Sequence, residues 1–352
     1  MTIQAAGAPV RLLSLATALP PHRLLQADVA REAARMWGDR IEDWGRLSAI
    51  FASAGIDRRH SVVPLEWFLR PRGWPDRTAA YLNGADALFV EAAGRALDRA
   101  GLRAADVGTV VTVSSTGIAT PSIEARVAER MGFGPHVHRV PVFGLGCAGG
   151  ITGLGLAARL ARGEPEHVVL MVTIELCTLS FRLEDTSKAN LVATALFGDG
   201  AAACVLRAGE GGVAEVEAAA EHRWPDTLGI MGWDVTETGL GVIFDRAIPP
   251  FAEERLGAAM DALLGRAGLS RAEIDRFTCH PGGAKVVAAL ERALGLPQGS
   301  LDHERAVLRE CGNMSAPTAL FVLERAGFGS GRQAVTALGP GFTASTAILR
   351  AA

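Results

Sequence analysis

The chain repeats itself, and the repeat restricts its fold more than any other feature. Arg99-Ala100-Gly101-Leu102, then an acidic link and the β-branched run Val107–Ser114, recurs as Arg266-Ala267-Gly268-Leu269, another acidic link and the run Arg276–His280. Gly101 and Gly268 are 167 residues apart. Gly146-Cys147 ahead of a small-residue helix recurs as Gly312-Asn313 ahead of the helix Ser315–Ala326, at an offset of 166. Phe197-Gly-Asp-Gly before AAACVLR recurs as Leu338-Gly-Pro-Gly before FTASTAILR. Three matches in one order, two at nearly constant offset, mark a duplicated α/β unit. Strands alternating with helices in each copy imply mixed sheets sandwiched by helices. The Gly209–Gly212 stretch is a soft boundary that divides the chain into halves 1–210 and 211–352.

Within the first half, apolar patterning predicts strands over Val10–Leu19, Val107–Ser114, His167–Ile174 and Ala201–Arg207. Helical spacing predicts helices over Ala27–Trp37, Glu42–Ala52, Ala79–Ala100, Ser122–Met131 and Leu191–Phe197. Arg58-Arg59-His60 is a small basic cluster, either a solvated face or an anchor for a phosphate-bearing ligand.

The stretch Val140–Gly163, VPVFGLGCAGGITGLGLAARLARG, places Cys147 where a helix opens after a glycine-dense turn. Unpaired N–H groups and the helix dipole favour negative charge there. A lowered thiol pKa and an exposed thiolate nucleophile follow as the expectation; the plain alternative is an inert buried cysteine. Gly144, Gly146 and Gly149 also spell the dinucleotide fingerprint G-x-G-x-x-G. That motif normally opens the first βαβ unit of its domain, and here several elements precede it. Nucleotide binding is therefore disfavoured.

Composition narrows the classes further. With 49% hydrophobic and 21% charged residues and a net charge of −3, no basic excess points to nucleic acid. The apolar runs are broken by Gly, Arg and Asp, so no integral membrane segment is expected. The opening residues lack the pattern of a secretory leader. Five cysteines without a C-x-x-C pair argue against a disulfide framework and against a metal site. A cytoplasmic protein with no bound cofactor is the expectation.

The duplication turns a lone cysteine into a constellation. Cys147 and Asn313 hold equivalent places, one per copy, and His280 ends a strand just before Pro281-Gly282-Gly283. In a pseudo-two-fold arrangement all three can face the junction. A Cys thiolate attacks thioesters readily beside an imidazole. An Asn amide and a His N–H can hold an oxyanion or an enolate. Cys204 and Cys279 read as core, while Cys177 follows a strand and can line a pocket.

At these residues the chain resembles the type III polyketide synthases, the chalcone synthase superfamily on the thiolase fold. GLGCAGG around Cys147, LFGDGAAA from Leu196, HPGG from His280, GNMSAP from Gly312 and GPGF from Gly339 carry the resemblance. SSTGIATPSIEAR from Ser114, KANL from Lys188 and MGWDVTETGLGVIFDRAIP from Met231 look like the bacterial alkylpyrone and alkylresorcinol synthases. The resemblance implies a thiolase-like duplicated α-β-α-β-α sandwich with internal pseudo-two-fold symmetry. It implies an acyltransferase that condenses an acyl-CoA starter, here a medium or long fatty acyl-CoA, with several malonyl-CoA units and releases a cyclised alkylpyrone or alkylresorcinol. By the same resemblance Cys147 carries the acyl chain, and His280 and Asn313 activate it and drive malonyl decarboxylation. Phe197 matches the family's gatekeeper, and Val242 falls where a second gatekeeper phenylalanine stands, which widens the expected entrance. Trp233 falls where plant relatives carry glycine and can cap or bend the tunnel. Cys177, Ser180, Ser315, Gly282 and Gly283 are the further substrate-binding positions implied, with Arg58 and Arg59 from the basic cluster. The family works as a homodimer, and the Thr120-Pro121 loop is where one subunit would reach its partner's cavity.

Two alternatives remain at this point. An initiating β-ketoacyl carrier-protein synthase shares the fold and the Cys-His-Asn set, but its His-Gln-Ala-Asn motif is absent. A Cys-His-Asn protease fits the 133 residues between Cys147 and His280, but its local signature does not surround Cys147.

Overall fold

The computed structural model describes residues 8–352. Residues 1–7, part of the opening stretch inspected for a leader, lie outside the described residues. The strands are β1 (Val10–Ala18), β2 (His22–Leu25), β3 (Arg58–Ser61), β4 (Val107–Val113), β5 (His138–Val142), β6 (Val168–Leu176) and β7 (Asp199–Ala208). They continue as β8 (Ala214–Arg223), β9 (Met231–Thr236), β10 (Gly239–Phe244), β11 (Arg276–Cys279), β12 (Arg332–Gly339) and β13 (Thr343–Ala351). Nine of them form one sheet in the order β11-β12-β13-β8-β1-β7-β6-β4-β5.

That order is the duplication made visible. β4 runs parallel to β6, β6 antiparallel to β7, and β7 antiparallel to β1. β11 runs parallel to β12, β12 antiparallel to β13, and β13 antiparallel to β8. The copies join where β1 meets β8 over only two residue pairs, Arg11 with Glu215 and Leu12 with Ala214. The first copy adds β5 at the edge.

Helices fill three layers, so the sheet folds into a thiolase-like α-β-α-β-α sandwich. The helix Trp74–Ala100 covers the outer face of β1, β6 and β7. Ala85, Phe89, Ala92, Ala93 and Ala96 line its fully buried stripe, spaced as one helix face requires. The helices Gly149–Gly163 and Thr318–Ala326 form the middle layer against both half-sheets. Ile248–Arg266 and Ala284–Leu294 close the other side. β6 is buried along its whole length, which is why it reads as a mostly apolar run, interrupted only by Thr173 and Glu175, rather than an alternating one.

Several local expectations are corrected. Glu42–Ala52 is not one helix but two short ones, Trp44–Leu47 and Ala49–Ser53. Ser122–Met131 likewise divides into Ile123–Arg126 and Ala128–Met131. The helix expected from Ser315 begins at Thr318, because Ser315 holds a left-handed φ of 57° and Pro317 sits at the cap. No helix among the described residues is long and apolar enough to cross a membrane.

Candidate active site

Cys147 sits in the single 3-10 turn Gly146–Ala148 that leads into the helix Gly149–Gly163. The turn exists because Gly146 takes φ +47°, and a Cβ there would lie 2.6 Å from the Pro340 ring. Pro340 belongs to the Gly339-Pro340-Gly341 turn of the second copy, so the repeated glycine motifs pack directly on each other. Gly150 has the Ala316 carbonyl oxygen 2.2 Å from where its Cβ would be. At Gly149 a Cβ would come 2.8 Å from Val113 and 3.3 Å from the Ala316 Cβ. Gly146 and Gly149 thus serve close packing, which accounts for two of the three glycines of the dinucleotide-like spelling without a nucleotide.

His280 follows β11, its N–H donating to the Thr336 carbonyl at 2.8 Å. Asn313 is not at a helix start, as the repeat had suggested. It forms an isolated parallel bridge with Phe197. Its side chain is fixed from both ends: Nδ2 donates to the Gly282 carbonyl at 3.2 Å, and Oδ1 accepts the Ser315 N–H at 2.8 Å. Cys147, His280 and Asn313 line one cavity of about 430 Å³, with Met231, Phe244, Ile248 and Leu338 supplying apolar wall.

Burial sets the charge states, and it overturns one expectation. Cys147 is half-buried, and its thiol is pushed up to about 11 by desolvation, against the pull of hydrogen bonds from Ser315 and Asn313. The helix-start effect does not prevail, and the resting group is the thiol, not the thiolate. Desolvation pushes His280 down to about 4, so its imidazole is neutral. Both ring nitrogens of His280 lack a hydrogen-bond partner among the described residues although the side chain is buried. Such a group is costly unless something completes it.

The other sequence-derived positions divide. Gly282 lines the same cavity as the three, while Gly283 opens the next helix, where a Cβ would lie 3.6 Å from the Leu196 side chain. Ser315 is beside Cys147 as described. Cys177, Ser180 and Phe197 line a second, mostly apolar cavity of about 530 Å³, where the Ser180 hydroxyl donates to the Cys177 carbonyl at 2.7 Å. Burial raises the Cys177 thiol well above its usual range. Val242 and Trp233 are direct cross-strand partners in the β9–β10 hairpin. Trp233 meets the Phe197 ring edge-on at 6.1 Å and Phe244 does so at 6.4 Å, so the bulk missing at Val242 is replaced from either side. Thr120 is exposed and lines none of these cavities.

The basic cluster is corrected. Arg58 pairs with Glu310 at 3.7 Å. Arg59 is only 2% exposed; its Nη1 and Nη2 donate to the carbonyls of Thr194, Ala195 and Phe197, and its buried Nε has no partner among the described residues. It has no free fork for a phosphate.

One residue escaped sequence reasoning. Glu175, fully buried in β6, accepts from the Ser115 N–H at 3.0 Å and the Thr116 hydroxyl at 2.8 Å. Desolvation raises its carboxyl to about 8, and its charge acts on Cys147. The available signal was a lone acid inside an apolar strand, a placement rarely tolerated without purpose.

Comparison with known proteins fits this geometry. Residues 76–210 match the N-terminal domain of the chalcone and stilbene synthases, and residues 215–352 match their C-terminal domain. A 1,3,6,8-tetrahydroxynaphthalene synthase of Streptomyces peucetius subsp. caesius is 42% identical over 344 residues, covering 95% of this chain and 91% of the relative. A putative chalcone synthase of Bacillus subtilis (strain 168) is 35% identical over 350 residues, covering 94% and 96%. The crystal structure of 1,3,6,8-tetrahydroxynaphthalene synthase from Streptomyces coelicolor A3(2), a bacterial type III polyketide synthase, superposes with a TM-score of 0.91 at 28% identity, covering 97% of this chain and 99% of that one. The chain belongs to the chalcone and stilbene synthase family and is a type III polyketide synthase, an acyltransferase.

Proposed function

We propose that Cys147 is the acyl-carrying nucleophile, with His280 and Asn313 as the groups that activate it and hold the enolate. The half 1–210 then supplies the nucleophile, and 211–352 supplies the donors. One observation supports this: side chains from both copies of the repeat line one cavity, and His280 enters it with both ring nitrogens unpartnered. The Cys147 sulfur attacks the starter thioester carbonyl, its proton passes to the neutral imidazole of His280 and from there to the departing sulfur, and CoA leaves as the thiol. Malonyl-CoA then loses CO₂. The electron pair of the broken C–C bond becomes an enolate whose oxygen accepts from the Asn313 amide and a His280 N–H. The enolate carbon attacks the acyl thioester on Cys147 and releases the sulfur, and the cycle repeats.

The proposed starter is a medium or long fatty acyl-CoA, giving an alkylpyrone or alkylresorcinol. Its support is the 530 Å³ cavity beyond Phe197 and Cys177, walled by Leu24, Val29, Met36, Leu65, Phe68 and Phe181. Each methylene buried there gains roughly 0.8 kcal/mol, about fourfold in binding. The proposed assembly is a homodimer. β5 is an unpaired sheet edge, and nearby Ile118 and Phe143 are 60% and 55% exposed, a combination that favours pairing with a second copy.

The test is mass spectrometry of products from malonyl-CoA with saturated acyl-CoAs of increasing length, together with kcat/KM for each. A series rising to a broad long-chain optimum is expected, since an apolar slot discriminates coarsely. A maximum at acetyl-CoA or at an aromatic starter contradicts the starter assignment and leaves the nucleophile assignment standing.

A further inference from the structure

We infer that Arg59 is a positioning residue that holds Asn313 in register with Cys147; the inference rests on the enolate-binding role given to Asn313 above. The helix Lys188–Leu196 ends directly at Phe197. Its last carbonyls have no partners within the helix, and the dipole gives that end partial negative charge. Arg59 caps it from β3. Nη1 donates to the Thr194 carbonyl at 2.5 Å and the Phe197 carbonyl at 3.2 Å, and Nη2 donates to the Ala195 carbonyl at 3.0 Å. Among the described residues no carboxylate lies within 4.0 Å of this guanidinium, although Asp199 is close enough to act on it through space. A planar fork of donors reaches three divergent carbonyls at once, which an ammonium does poorly.

The capped segment carries Asn313. The Asn313 N–H donates to the Leu196 carbonyl at 2.8 Å, and the Gly198 N–H donates to the Asn313 carbonyl at 3.0 Å. There is no slack between the two segments. A Cβ on Gly198 would lie 2.3 Å from the Cys311 carbonyl oxygen, and one on Gly312 would lie 2.9 Å from that of Leu196. Both would also come within 3.4 Å of the Arg59 Cβ. Arg59, Leu196–Gly198 and Cys311–Asn313 thus move as one unit, and the Asn313 amide is its tip. An oxyanion donor must sit about 2.7–3.1 Å from its oxygen. Loosening the unit displaces that donor, whereas Cys147 is carried by a separate segment, the turn Gly146–Ala148. The expected signature is slow decarboxylation with normal loading.

The test compares Arg59→Lys, which keeps the charge and loses the fork, with Arg59→Met, which loses both. Rates are normalised to Cys147 titrated with iodoacetamide, so misfolded protein drops out. Arg59→Lys is expected to lower the kcat of malonyl-CoA decarboxylation about tenfold or more, the scale of a small misplacement, with KM and acetyl transfer to Cys147, from a starter too short to fill the cavity that Arg59 helps line, within about twofold of wild type. In an Asn313→Ala background the same substitution is expected to cost nothing further, because contacting residues that act together are non-additive. Equal losses of loading and decarboxylation, or fully additive losses in the double variant, overturn the inference. If Arg59→Met does not fold, Arg59→Lys decides. If Asn313→Ala decarboxylates normally, the reading of Asn313 itself fails; if Asn313→Ala is slow and Arg59→Lys is not, only the role of Arg59 fails.

Discussion

The two copies of the repeat treat equivalent turns in opposite ways. In the first, Cys147 rides a 3-10 turn beside glycines and is half-buried, with hydrogen bonds to its sulfur from Ser315 and Asn313 of the other copy. In the second, Asn313 is 1% exposed and fixed by backbone bonds on both sides and by its own amide at both ends. The moving chemistry falls on the more accessible member, since a nucleophile must be reached by its substrate. The charge-stabilising chemistry falls on the rigid one, since preorganised donors are worth most when they need not reorganise. A duplicated scaffold lets one backbone plan serve both demands.

The largest effect expected is on the accessible side. Cys147→Ala abolishes polyketide formation while thermal unfolding stays near wild type, because the side chain contributes chemistry and little packing. Product yield with malonyl-CoA and differential scanning calorimetry check this together; full yield would remove the distinction between the copies.

A smaller effect compares the paired glycines. Gly146→Ala and Gly312→Ala each force a side chain into positive φ against a fixed atom, Pro340 or the Leu196 carbonyl. Each is expected to cost roughly 1–3 kcal/mol of stability. Denaturant midpoints measure it, and an unchanged midpoint in either would show that turn to be adaptable.

A pH-dependent contrast concerns Glu175, for which the counterpart strand β12 (Arg332–Gly339) holds no acid. Its carboxyl is raised from 4.5 to about 8 in the fold. The folded state therefore binds the proton more tightly, and the stability contributed by the neutral form is lost as pH rises from about 4.5 to about 8. The Tm of Glu175→Gln, neutral throughout, is expected to gain on wild type across that window. A constant difference between the two Tm curves would contradict the assignment.

Much of this architecture was legible in the sequence. The strands β4, β6 and β7 announce themselves because buried sheet demands mostly apolar residues, and the repeat places Cys147 and Asn313 in equivalent turns. What was not legible depends on three-dimensional surroundings. Arg58-Arg59 looks like a surface pair, yet alternation along β3 sends Arg59 inward to a helix end far away in the chain. The hairpin β9–β10 has no strong periodicity, and its meaning lies in Trp233 and Phe244 meeting Phe197. A local motif favours a thiolate at Cys147, and only the surrounding walls reveal the desolvation that opposes it.

The division of labour between the copies is tested most directly by following two events in one Asn313→Ala sample: octanoyl transfer from octanoyl-CoA to Cys147, read by intact-protein mass spectrometry, and release of labelled CO₂ from malonyl-CoA. The account predicts decarboxylation slowed by about 10²–10³, the loss typical of one oxyanion donor, and acyl transfer slowed far less. Acyl transfer that fails as badly as decarboxylation would contradict it.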